Sequence, residues 1–302
     1  MENGATIIKR PESEKLPLAP YPAIGLGVLA VSFASVLIKM TAAPPLAVAV
    51  YRMGFTLLVI LPATILIARR DISRLRQEDL LCSAGSGFFL ALHFATWITS
   101  LRYTSVASST VLVTTQPLFV VAGSALFFRE RLSRRAFGGV LLAFAGSGLV
   151  GFSDFRIGGA ALWGDLLALL GALTFAAYLL MGRRLRQRLP LLPYTTLVYG
   201  TCTAVLVGFC LAAKVPLAPY SRSELLIFAA LALLATVFGH TVFNWAVKYV
   251  PAPVVAVSIL GEPVAATGLA YLFLRESPGL LQLIGGLIIL AGISVFVGAK
   301  PG

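Results

Sequence analysis

Charge is scarce in this chain, and acid is scarcer than base. Only 12% of the 302 residues are charged, against about 25% in a typical soluble domain, while 58% are hydrophobic. Mean hydropathy is +0.91. That much apolar surface cannot be hidden from water in a soluble fold of this length, so a soluble globular protein is excluded. Histidine occurs twice and cysteine three times. Cys82, Cys202 and Cys210 lie in apolar runs with no metal-site spacing and read as small buried hydrophobes. There is no G-x-x-x-x-G-K-[ST] loop, so ATP does not drive it directly, and no H-E-x-x-H, G-x-S-x-G or aspartate-rich diphosphate motif to suggest an enzyme. Neither metal nor cofactor is expected. The net charge of +12 could suggest nucleic-acid binding, but Lys and Arg fall in short clusters between apolar runs, such as "ARRDISRLR" and "GRRLRQR". That placement sets membrane orientation instead.

What the chain does have is long apolar runs. A transmembrane helix needs about 20 mostly apolar residues. Ten candidates follow: 21–40, 46–68, 80–101, 105–127, 135–152, 161–182, 194–213, 224–247, 253–274 and 279–298. With the N-terminus inside, 17 of 24 Lys and Arg fall in cytoplasmic segments. The expected location is the cell (inner) membrane, multi-pass, with both termini cytoplasmic. Residues 1–19 are polar, lack a signal-peptide pattern, and read as a disordered cytoplasmic tail.

An internal duplication organises the spans. "LRYTSVASSTVLVTTQPLFVVAGSALFFRE" (101–130) aligns without a gap on "VKYVPAPVVAVSILGEPVAATGLAYLFLRE" (247–276). The offset of 146 puts Gln116-Pro117 on Glu262-Pro263 and Arg129-Glu130 on Arg275-Glu276. Each half holds five spans, an odd number, so the second half must be inserted upside down. The expected fold is an all-α polytopic membrane protein of ten transmembrane helices in an inverted 5+5 repeat, with repeats at 20–156 and 157–300. Such repeats are common in secondary transporters, with the site near the midplane between halves.

The ten spans, the repeat and the stretch "EPVAATGLAYLFLRE" resemble the EamA family of the drug/metabolite transporter (DMT) superfamily. The resemblance covers about residues 21–298. In that family the fourth span of each repeat commonly has a mid-helix proline and closes with an acidic residue, more often as Gly-Glu than the Arg-Glu seen twice here. It implies a carrier, usually an exporter, of amino acids or other small metabolites. Near-symmetry of the halves leaves direction open. Exporters of cationic drug-like compounds are the alternative, and a membrane-embedded enzyme or a non-transporting scaffold a remote one.

Glu262 and Gln116 sit near the middle of their spans, where a carboxylate facing lipid costs about 2.5–3.5 kcal/mol or more. Glu262 should therefore face the interior, to meet substrate, carry a proton, or hold a bend by hydrogen bonding. Pro117 and Pro263 should bend those helices. Arg52, preceded by Tyr51, could face the cavity and bind a carboxylate, or snorkel outward like Lys39. Polar stripes run along Ser32, Ser35 and Lys39, along Thr174 and Tyr178, along Thr236, His240 and Asn244, and along Ser258 and Glu262. Each either lines a cavity or glues helices together. The third and eighth spans are aromatic-rich, with His93, Trp97 and His240 among their residues. His93 and His240 are one residue out of register, so the repeat does not pair them. Glycines in "FGGVLLAFAGSGLVG" and "LIGGLIILAGISVFVG" suggest close helix approach in the fifth and tenth spans and could support a homodimer. The expected partners are a small-molecule substrate and the lipid bilayer.

Overall fold

The computed structural model describes residues 19–104, 106–130, 132–152, 159–275 and 277–299. Expectations for residues 1–18, Arg131, Arg156, Glu276 and Lys300 lie outside the described residues. Among the described residues the fold is helical, and nine helices are long and apolar enough to cross a membrane. The first three spans are α1 (Pro20–Lys39), α2 (Pro45–Ile67) and, after the short α3 (Arg69–Ile72), α4 (Gln77–Ser100). The fourth is split into α5 (Val106–Val113) and α6 (Gln116–Phe128), and the fifth is α7 (Arg134–Phe152). The second half begins with α8 (Ala160–Arg186) and α9 (Leu191–Ala212). Its eighth span is α10 (Arg222–Ala230), a π-helical segment (Leu231–His240) and α11 (Thr241–Ala246). The ninth is split into α12 (Ala252–Ile259) and α13 (Glu262–Leu274), and α14 (Leu280–Val297) closes the chain.

Helix packing follows the repeat. α4 packs on α8, and its inverted equivalent is α1 on the π segment. α6 packs on α8 as α13 packs on α1. The pairs α2–α9, α6–α12 and α7–α14 each join a span to its own counterpart, as a pseudo-twofold axis requires. The main core lies among α1, α2, α4, α8, α9 and the π segment, and a small second core fills α7, α12 and α14. Gly139 and Gly146 of α7 meet α14 closely within the chain, while Gly138 and Gly148 are exposed. A Cβ on Gly292 would lie 2.3 Å from the Ala143 nitrogen, and one on Gly139 2.6 Å from the Phe296 nitrogen.

The prolines do more than bend their helices. Each helix stops with two residues left before the Gln or Glu, at Val113 and Ile259, then restarts with that Gln or Glu as the first residue of the next half-helix. Pro117 and Pro263 take the second position, where the missing N–H has no helical acceptor to lose. Leu260 and Gly261 close the break through bonds to the carbonyls of Val257 and Ser258, both 3.0 Å. Glu262 thus sits at a helix N-terminus, whose dipole favours a carboxylate.

Candidate functional site

The breaks in the fourth and ninth spans open onto a narrow central cavity of about 40 Å³. Arg52 from α2, Glu262 from α13 and Gln116 from α6 supply its polar groups. His93 and Trp97 from α4, His240 from the π segment, Phe175 from α8 and Phe243 from α11 form aromatic walls. Val31, Ala34, Val113, Thr114 and Ile259 complete the lining.

Arg52 does not snorkel. It is 1% exposed, because α2 turns this face onto the π segment. Its Nε donates to Thr236 Oγ1 at 2.8 Å, and its guanidinium carbon stands 4.5 Å from the centre of the Phe94 ring, within cation–π range. Arg52 Nη1 has no hydrogen-bond partner among the described residues, nor do Trp97 Nε1 and His240 Nδ1. All three residues line the cavity. Arg52 and Glu262 also line it, without a direct ion pair between them.

The two histidines do meet. Their ring centroids are 6.5 Å apart, and His93 stacks on Trp97 at 5.8 Å and 7°. A π turn takes one residue more than an α turn. The π segment that ends at His240 therefore absorbs the one-residue offset from His93, whose own helix stays α throughout. The repeat pairs them after all, through a backbone change that sequence alignment alone does not reveal. His93 Nδ1 is fixed by the carbonyl of Gly171 at 3.0 Å.

Other expected site residues lie elsewhere. Tyr51 turns away from the cavity, into a ring cluster with Phe55, Tyr220 and Phe228, and its hydroxyl donates to the Leu217 carbonyl. Ser258 donates to the Val254 carbonyl of its own helix at 2.8 Å and lines neither cavity described below or above. Tyr178 is one layer out, with its ring 6.3 Å from that of His240. Asn244 is buried and donates to the Tyr199 hydroxyl at 3.1 Å. With Tyr199 bonded to Thr241 at 3.0 Å, it forms a buried polar layer beside the cavity. Ser35 and Lys39 line a separate cavity at the C-terminal end of α1. Sequence reasoning missed Phe175 and Thr114, which fall in otherwise ordinary helical stretches and reach the cavity through packing.

These features define a class: a polytopic membrane protein built as an inverted repeat around a central polar and aromatic cavity. The chain belongs to the EamA-like transporter family, which matches it twice, at residues 21–152 and 162–298. It is similar to an uncharacterized transporter of Archaeoglobus fulgidus, 26% identical over 68% of this chain and 71% of that one. It is also similar to a probable amino-acid metabolite efflux pump of Salmonella typhimurium, 25% identical over 84% of this chain and 86% of that one. A crystal structure with 22% sequence identity shares the fold, with a TM-score of 0.75 over 92% of this chain and 96% of the other. The protein is a multi-pass membrane transporter.

Proposed function

We propose that this protein is a secondary active exporter of small zwitterionic metabolites, amino acids among them. The halves at 20–156 and 157–300 would rock about the central cavity, exposing it alternately to either side. One observation carries the reading: Arg52 and Glu262 line a single cavity without pairing to each other. Opposite charges held apart in a water-poor space are costly. A zwitterion offers a carboxylate to the guanidinium and an ammonium to Glu262, and the aromatic walls suit an organic side chain. The efflux role of the Salmonella relative supports export. The Lys and Arg bias supports an inner-membrane location with cytoplasmic termini.

Cationic drug-like compounds are the competing cargo, favoured by the aromatic walls together with Glu262. Arg52 speaks against them, since a buried guanidinium repels a cation in the same cavity. Counterflow in proteoliposomes, with amino acids, sugars and organic cations offered together and read by mass, tests the proposal. Exchange confined to amino acids and like zwitterions is expected. Exchange confined to organic cations, or no saturable exchange by folded protein, overturns it.

A further inference from the structure

Three helices that line the central cavity are drawn together at one end by a single side chain. Phe175 of α8 and Phe243 of α11 are in the cavity wall, and Gln116 begins α6 there. About two turns beyond Phe175 stands Arg183, and about one turn beyond Phe243 the chain reaches Val247. α6 runs away from the cavity to Phe128, with Glu130 just past its end. Arg183 Nη1 donates to the Val247 carbonyl at 2.7 Å, and Arg183 Nη2 donates to Glu130 Oε1 at 3.3 Å. One planar guanidinium thus joins the ends of α6, α8 and α11.

The two arms of this junction differ. Toward α11 it is reinforced. Arg186 Nε donates to the Asn244 carbonyl at 2.9 Å, and Gln187 Nε2 donates to the Lys248 carbonyl at 3.2 Å. Toward α6 it is an ion pair between the repeats, since Glu130 belongs to the first half and Arg183 to the second. Both side chains are partly buried, so salt screens the pair less than it would on an open surface. The left-handed Arg129 turns the chain at the end of α6, and the Glu130 N–H returns to the Ser124 carbonyl at 3.3 Å, which fixes the acid at the helix end. Glu130 Oε2 is buried without a hydrogen-bond partner among the described residues, so the pair is held through one carboxylate oxygen. Arg188 also meets an acid of the first repeat, Asp79, but that carboxylate accepts from the Arg76 N–H at 3.0 Å and caps the start of α4 as well.

We propose that the Arg183–Glu130 pair is a gate latch, which holds the ends of α6 and α8 together and is broken when the central cavity opens to that membrane face. Rocking of the halves displaces helix ends more than residues beside the cavity. A contact made in only one of two states favours that state, and its loss shifts the population toward the other. The latch rests on the alternating-access reading above, and the Lys and Arg bias makes the cytoplasmic face the expected one.

The test places a reporter thiol in the central cavity as Val113→Cys, in full-length protein whose three native cysteines are replaced by alanine. A membrane-impermeant methanethiosulfonate bearing a sulfonate is applied to inverted and to right-side-out membrane vesicles. Glu130→Gln is expected to raise the labelling rate several-fold in inverted vesicles only. In an Arg183→Gln background, itself raised, Glu130→Gln should add no further increase, because the pair is already gone. Glu130→Asp, which keeps the charge but draws it back from Arg183, should act in the same direction and serves should Glu130→Gln misfold; Ala34→Cys is a second reporter. An unchanged rate in both Glu130 variants, a rise of equal size in both vesicle orientations, or a full further rise in the Arg183→Gln background overturns the latch. A rise confined to right-side-out vesicles keeps the latch and reverses the expected orientation. If labelling behaves as expected while counterflow finds no saturable exchange, the latch stands and the carrier reading falls. If exchange is found and labelling is indifferent to Glu130, the latch alone falls.

Discussion

Replacing Arg52 by methionine separates binding from folding. Arg52→Met keeps much of the side-chain length and removes the charge. In the empty protein it loses the Nε bond to Thr236 and the contact over Phe94, worth about 1–3 and 0.5–2 kcal/mol respectively. It also removes a guanidinium that is costly to bury, so these terms partly cancel and the protein should still fold. The effect on cargo is not cancelled. A hydrogen bond to a charged group contributes about 1.5–3 kcal/mol, or about 10- to 150-fold in affinity. Wild type should therefore bind an amino acid about that much more tightly than the amine left by its decarboxylation. In Arg52→Met the two ligands should bind nearly alike. The assay is competition of each ligand against counterflow of a labelled amino acid, with thermal unfolding in detergent as the control for folding. Arg52→Lys should restore part of the preference, because an ammonium carries the charge without the planar fork. If Arg52→Met weakens both ligands equally, Arg52 only holds the helices and the carboxylate argument is wrong.

Glu262→Gln should remove the preference for a free ammonium, so that an amino acid and its N-acetyl derivative compete alike. If Glu262 also carries a proton, the same variant flattens the pH dependence of transport, and an unchanged profile sinks that role. Gly292→Ala should lower the unfolding temperature sharply or prevent folding, because its new Cβ meets backbone that cannot yield. Gly148→Ala, with open space at the Cβ, should be neutral or mildly stabilising; equal effects would refute the packing account. Arg129 and Arg275 end α6 and α13 with φ of 55° and 56°, a left-handed conformation costing a non-glycine residue about 1–2 kcal/mol. Arg275→Gly should raise the unfolding temperature by a few degrees unless the side chain has an offsetting role, and a fall would show that it has one.

The ten spans were legible because hydrocarbon leaves a helix little freedom, and each observed span begins or ends within a few residues of its apolar run. The family's usual Gly-Glu closure of the fourth helix also finds its reason, since the position before the acid is left-handed and suits glycine. Arg52 could not be oriented from sequence, because a helix two turns from the membrane face can turn a long cation inward or outward with the same hydropathy. The neighbouring π segment decides it by bringing Thr236 to the guanidinium. That segment is itself invisible in composition: "LALLATVFGH" would serve equally well as α-helix. Tyr51 was misjudged for a related reason. It adjoins Arg52 in sequence, but neighbouring residues on a helix point about 100° apart, and its ring is taken up by Tyr220 and Phe228.

The duplication explains the shape of the site, and its departures explain how the site can be selective. At the 146-residue offset, Glu262 corresponds to neutral Gln116, and Arg52 to Val198, which is buried within α9. Backbone symmetry supplies two half-helix N-termini and two aromatic walls, while full charge enters from one side of each pair only. A fully symmetric site with two arginines and two glutamates would accept a zwitterion in two orientations. It would also hold excess buried charge when empty. On the proposed zwitterion reading, one arginine and one glutamate, each contributed by a different repeat, would define a single orientation and bind the two halves of the protein to opposite ends of the same small solute. Installing the missing symmetry should therefore cost selectivity: Gln116→Glu would give the cavity a second acid, and amines lacking a carboxylate should then compete better than in wild type. Unchanged competition by such amines in a folded Gln116→Glu protein would show that Gln116 is too far from the cargo to matter, and would remove the argument that asymmetry between the repeats sets specificity.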